Sequence, residues 1–125
     1  MILADTSVWI DHFRSPEPKL VQLVEASELL MHPFVVGELA MGSLAQRKLR
    51  LRLWAMMPTL PAASLDDVLA LTEARHLYAR GIGYADANLL ASSLVARGTS
   101  LWTRDGRLRS IAREFGVHAD LDDDR

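Results

Sequence analysis

The opening stretch MILADTSVWI, residues 1–10, reads as a short apolar strand that breaks at Asp5 and gives way to a helix start. MILAD is an apolar run, DTS is a turn-forming triplet, and VWIDHF has the apolar spacing of a helix. Asp5 is the only charged side chain in these ten residues. An isolated carboxylate on an apolar segment is costly unless something positive meets it. A strand that ends on such an acid, with a helix directly behind it, is the start of an alternating α/β chain.

Working outward, the alternation continues. EPKLVQLVEAS places Leu20, Leu23 and Val24 on one helical face with Pro18 near its start. LLMH is a short buried strand, and Pro33 suits the first turn of the next helix. Residues 44–57 read as a helix on length and on the lack of β-branched residues, although LRLRL alternates like a strand. Pro58 and Pro61 bracket an extended piece. SLDDVLALTEARHLYAR has a capping serine at Ser64 and a helical stripe through Val68, Leu71, Ala74 and Leu77, with Gly81 and Gly83 to end it. A helix from about Asp86 to Ala96 is closed by Gly98, SLWT is a strand, DGRLRSIAREF is a helix ending at Gly116, and VHADL is a last edge strand. The pattern predicts an α/β domain over residues 1–119 with a mainly parallel central sheet, followed by an acidic C-terminal tail, residues 120–125, that reads as a solubilising, disordered end.

Two further carboxylates share the isolation of Asp5. Glu38 is the only charge in PFVVGELAMGSLAQ and Asp86 the only one in GIGYADANLLASSLVA. Asp105 follows the strand SLWT at the mouth of a helix. In parallel sheets ligands bind beyond the carboxyl ends of the strands, which is where these four acids fall. Each has a simpler structural reading. Asp105 is placed to cap a helix, Asp86 to complement a helix dipole, and Asp5 to cap with Thr6 and Ser7. Glu38 resists such a reading, since Phe34 and Met41 share its helical face and leave no evident solvent.

Composition bounds the function. The 125 residues are enough for one self-sufficient core, and half of them are hydrophobic. No apolar run approaches the ~20 residues that span a bilayer, so the expected location is the cytoplasm, with no membrane partner. The absence of cysteine excludes disulfides, thiolate metal sites and cysteine nucleophiles. The net charge of −2 is concentrated in DLDDDR; without that tail 13 basic residues face 12 acidic ones. Between Leu44 and Arg113 the count is 11 basic to 5 acidic, an excess suited to phosphates. The four histidines show no ligand pairing, and Trp9, Trp54 and Trp102, set among leucines, read as packing residues.

The chain resembles a PIN domain, specifically the VapC-type toxins of prokaryotic toxin–antitoxin pairs. The resemblance is carried by ILADTSVWID, FVVGELAMG, YADANLLASSL and LWTRDGRL in that order, and it spans essentially the whole chain. It implies a three-layer α/β/α fold, usually dimeric, here a homodimer, and an RNA substrate cut to leave a 5′-phosphate and a 3′-hydroxyl. It also implies a small cognate antitoxin that commonly sets a basic side chain among the acids. By resemblance Asp5, Glu38, Asp86 and Asp105 match the family's acidic cluster, catalytic and metal-binding, while Thr6 and Thr103 match its adjacent hydroxyl positions. Leu108 departs from the family, standing where a phenylalanine is common.

Hard oxygen donors without cysteine or paired histidines select Mg²⁺, with Mn²⁺ able to substitute. A cation-activated water is the natural nucleophile for in-line attack on a phosphodiester. Arg47, Lys48, Arg50, Arg52, Arg104 and Arg107 are candidates for gripping the RNA backbone, although an arginine-rich face is often merely solvated. The expected function is therefore a metal-dependent endoribonuclease acting as a toxin. Two alternatives stand beside it: a non-catalytic PIN-fold binding module, and a metal-dependent phosphohydrolase. A haloacid-dehalogenase type of phosphohydrolase needs an aspartate where Ser7 stands, and a receiver domain needs an acidic pair near the first strand and a late lysine, both absent.

Overall fold

The structure, a computed structural model, describes residues 1–122. Its centre is a parallel sheet of β1 (Ile2–Ala4), β2 (Leu29–Leu30) and β3 (Ser100–Trp102) in the order β2-β1-β3. Ile2 and Leu3 stand opposite Leu29 and Leu30, and Ile2, Leu3 and Ala4 opposite Ser100, Leu101 and Trp102. Leu3, Ala4, Leu29, Leu30, Leu101 and Trp102 are all buried. Burial of consecutive residues means that both faces of the sheet are covered, as parallel sheets require. One further parallel bridge lies at each edge, Thr59 beside Met31 and His118 beside Leu101.

The helices are α1 (Thr6–Arg14), α2 (Pro18–Glu25), α3 (Pro33–Ala40), α4 (Arg47–Ala55), α5 (Leu65–Arg75), α6 (Tyr84–Val95) and α7 (Gly106–Glu114). With the sheet they form the three-layer α/β/α arrangement. Their starts follow capping chemistry. Asp5, Glu17, His32, Ser64 and Asp105 each accept a hydrogen bond from the first turn of the helix they precede, and Pro18 and Pro33 occupy first-turn positions.

Three local expectations need correction. The helix after Ser64 ends at Arg75 rather than at the glycines, because His76 takes a left-handed conformation (φ 53°). Leu77 is buried by folding back over that cap, with its N–H donating to the Thr72 carbonyl at 3.0 Å, and not by continuing the stripe. VHADL contributes one bridge, through His118, and no strand. The acidic tail is not a free end as far as Asp122: Trp102 Nε1 donates to Asp122 at 3.1 Å, and the Lys19 ammonium donates to the Leu121 carbonyl. The rest of that tail, residues 123–125, lies outside the described residues.

A buried polar network ties α3 to α6. His32 is fully buried; its Nδ1 accepts from the Phe34 N–H at 3.0 Å and its Nε2 pairs with the Ser92 hydroxyl at 2.9 Å. Asn88 bonds both the N–H and the carbonyl of Ala63. The network orients the two helices that carry Glu38 and Asp86. All three tryptophans are core residues, with the Trp9 and Trp54 rings 5.6 Å apart.

Candidate active site

Asp5 leaves the end of β1 buried, with 5% of its surface exposed. Its Oδ1 accepts from the Ser7 N–H at 3.0 Å and from the Ser7 hydroxyl, and its Oδ2 accepts from the Thr103 hydroxyl at 2.6 Å. Burial still pushes its carboxyl above the usual range, with those hydrogen bonds acting the other way. Thr103 in turn accepts from the Asp105 N–H at 3.1 Å, and Asp105 Oδ1 accepts from the Leu108 N–H at 3.0 Å. The capping readings of Asp5 and Asp105 thus hold, and they coexist with membership of an acidic group.

That group is visible electrostatically. Asp86, in the first turn of α6, is pushed up to about 6, first by burial and then by the charges of Asp5 and Asp105, with Glu38 adding to them and the Gly83 backbone opposing. Glu38 is also raised, by partial burial and by Asp5. The fold therefore brings all four sequence-predicted acids into one repulsive field. Only Asp5 is buried, however. Glu38 and Asp105 are exposed and Asp86 is half-buried. For Glu38 this corrects the sequence reading: α3 is apolar nearly all round, but it packs through Val35 and Leu39, which leaves Glu38 and Met41 on its open side.

The two hydroxyl positions divide. Thr103 holds Asp5, whereas the Thr6 hydroxyl is buried without a hydrogen-bond partner. Thr6 and Glu38 line one groove of about 300 Å³ with Ile10, Phe13 and Leu44. Ser7, which the sequence reading used only as a capping partner, is the second holder of Asp5. Its signal was available, since a hydroxyl two residues after a helix-capping aspartate is placed to bond it. Among the described residues no three carboxylate or imidazole groups converge into a ready-made cation cage.

Four of the six basic candidates lie on α4, Arg107 lies on α7 and Arg104 just before it. Arg47, Lys48 and Arg52 are exposed on α4, while Arg50 is half-buried with its guanidinium carbon 4.6 Å from the Phe13 ring centre. Arg107 lies across Gly81, where a Cβ would stand 2.6 Å from its guanidinium. Arg104 is not available to phosphates in this arrangement, because Asp11, Glu17 and Asp122 all pair with it. Sequence reasoning could not foresee this, since those partners lie far from residue 104 along the chain.

Residues 2–114 match the family described as PIN domain. Two curated relatives, each described as Ribonuclease VapC32 and coming from Mycobacterium tuberculosis strains CDC 1551 / Oshkosh and ATCC 25618 / H37Rv, are 47% identical to the chain over 117 residues. Each match covers 94% of this chain and 94% of the relative.

Proposed function

Because the chain belongs to the PIN-domain family, in its VapC-type branch, we propose that it is a Mg²⁺- or Mn²⁺-dependent endoribonuclease and the toxin of a toxin–antitoxin pair. The observation that carries this reading is the Asp86 carboxyl, lifted to about 6 first by burial and then by the charges of Asp5, Asp105 and Glu38. Four carboxylates that destabilise one another at a strand end need a cation to become favourable.

The donor set fits such an ion. Mg²⁺ typically binds through one or two carboxylates, waters and substrate phosphates rather than in a closed protein cage. An all-oxygen cluster with an unpartnered buried hydroxyl at Thr6 suits that mode. Asp5, Asp86, Glu38 and Asp105 would hold the ion directly or through water. When bound it supplies a water that ionises near neutral pH and neutralises charge on the phosphate. The chain's own contribution is orientation: Ser7 and Thr103 fix both oxygens of Asp5, and Asp105 is fixed by its cap on α7. Glu38, exposed and raised by partial burial and by Asp5, would ligate the ion or orient water.

RNA would be gripped by the exposed cations Arg47, Lys48 and Arg52, with Arg50 and Arg107 nearer to packed surfaces. Met41, Leu49, Leu53 and Met56 are exposed and apolar, a surface that a small antitoxin would cover. Self-association as a homodimer belongs to the same reading. Among the described residues no helix is long and apolar enough to cross a membrane.

The test is cleavage of RNA by purified protein. It should require Mg²⁺ or Mn²⁺ and be abolished by Glu38→Gln or Asp86→Asn with unchanged far-UV dichroism. Cleavage that persists in excess EDTA, or in the double variant, refutes the proposal. Expression without the neighbouring antitoxin gene should arrest growth, and unimpaired growth at confirmed soluble expression counts against the toxin role.

A further inference from the structure

Arg104 works on two groups at once. Its backbone N–H donates to the Ser7 hydroxyl at 2.9 Å, the same hydroxyl that donates to Asp5. Its two neighbours also touch the site, Thr103 by bonding Asp5 and Asp105 as one of the four acids. The Arg104 side chain, by contrast, meets three carboxylates from distant parts of the chain. Its Nη1 donates to Asp11 at 3.0 Å, its Nη2 to Glu17 and to Asp122 at 3.0 Å, and its Nε to both Asp122 oxygens at 3.3 Å. Trp102, at the end of β3, donates to the same Asp122.

One guanidinium against three carboxylates is fully neutralised, and a fork held by both oxygens of Asp122 is fixed in orientation as well as charge. The Arg104 side chain is about one quarter exposed, and its pairs with Glu17 and Asp122 are better shielded than surface ion pairs. The residue whose N–H orients Ser7 is therefore clamped from its other end by the tail of the chain.

We propose that the Arg104–Asp122 clasp is a positioning device, in which Asp122 holds the turn of residues 103–105 so that Ser7 and Thr103 present Asp5 correctly beside Asp105. The inference rests on the ribonuclease reading above for its consequence in turnover, but not for the clasp itself. Asp122 is a positioning residue that acts through Arg104. Misplacement of a reacting group by about 1 Å can cost on the order of 100-fold in rate. Loss of the clasp should therefore reduce turnover by roughly 10- to 100-fold without loss of fold.

The experiment compares full-length wild type, Asp122→Ala, Ser7→Ala and the double variant in two ways. Amide hydrogen exchange on labelled protein, without metal or RNA, should show the Arg104 N–H exchanging at least about tenfold faster in Asp122→Ala. The Met31 N–H, bonded to the Pro58 carbonyl at 2.8 Å, should be unchanged. In Mg²⁺-dependent cleavage, Asp122→Ala should lower kcat with KM little altered, and the double variant should lose less than the product of the two single losses, because both act in part on the Ser7–Arg104 contact. Unchanged exchange at Arg104 overturns the clasp. A lower KM at unchanged kcat overturns it too, since it would mean that Asp122 merely screens a phosphate-binding arginine. If wild type does not cleave RNA, the ribonuclease reading fails and the exchange experiment alone decides the clasp.

Discussion

Replacing Asp86 by asparagine should make the metal-free protein more stable, and the gain should depend on pH. The Asp86 carboxyl is raised from 3.8 to about 6 in the fold, so the folded state favours the protonated form. Between those two values the folded chain holds more proton than the unfolded chain, and stability falls as pH rises. The penalty is complete above about pH 6 and absent below pH 3.8. At about 1.4 kcal/mol per pH unit the shift sets a ceiling near 3 kcal/mol. Asp86 is only half-buried, and solvent screening reduces this to about 1–2 kcal/mol. Unfolding entropy of about 2.1 cal/mol/K per residue converts it into a rise in Tm of roughly 4–8 °C for a chain of this length. The assay is thermal unfolding of wild type and Asp86→Asn in EDTA at pH 7.5 and at pH 4.5. The variant should gain several degrees at the higher pH and little at the lower. An equal gain at both, or none at either, refutes the idea that Asp86 is strained in the fold by burial and by its acidic neighbours.

Millimolar Mn²⁺ should raise the Tm of wild type by several degrees, since a hundredfold excess over Kd stabilises by about 2.7 kcal/mol, and should do little for Asp86→Asn; equal gains would remove Asp86 from the ligand set. Burial lowers His32 to about 4, so the unfolded chain takes up a proton first as pH falls below 6.5. The advantage of wild type over His32→Asn in denaturant midpoint should therefore be full above pH 6.5 and shrink by up to about 3 kcal/mol towards pH 4; a constant difference would mean that His32 does not sit neutral in the fold. Gly81→Ala should cost about 1–2 kcal/mol, because φ is +85° and the new methyl would meet Arg107; a neutral result in urea unfolding would show that Arg107 moves aside freely.

The parts of the fold that were legible in the sequence are those in which one local signal suffices. Asp5 ended an apolar run and preceded helical spacing, and it directly follows β1 and caps α1. Ser64, Pro18 and Pro33 marked helix starts for the same local reason. Helix ends were harder. α5 stops at a histidine, a residue whose left-handed conformation carries no sequence flag comparable to glycine. The exposure of Glu38 was illegible because α3 has apolar residues on every side, and only tertiary packing selects which of them is covered. The Arg104 clasp joins residues 11, 17, 104 and 122, and no spacing rule connects positions so far apart.

The structural and chemical readings of the acids turn out to be one device seen from two sides. A helix start presents unpaired N–H groups and the positive end of a dipole, so it can hold a carboxylate that burial would otherwise neutralise. Asp5 and Asp105 spend Oδ1 on such caps, α1 for the first and α7 for the second. Capping thereby fixes each side chain in a single rotamer at the end of a strand, which is the precision a phosphate-cleaving site needs. Asp86 caps no helix and keeps a single backbone hydrogen bond, from Gly83, and burial with its acidic neighbours pushes its carboxyl up to about 6. The strain of the cluster thus collects on a half-buried acid that no helix cap holds. That acid has the most to gain from a cation, and its protonation state should respond first to metal, to RNA or to a basic side chain brought by a partner.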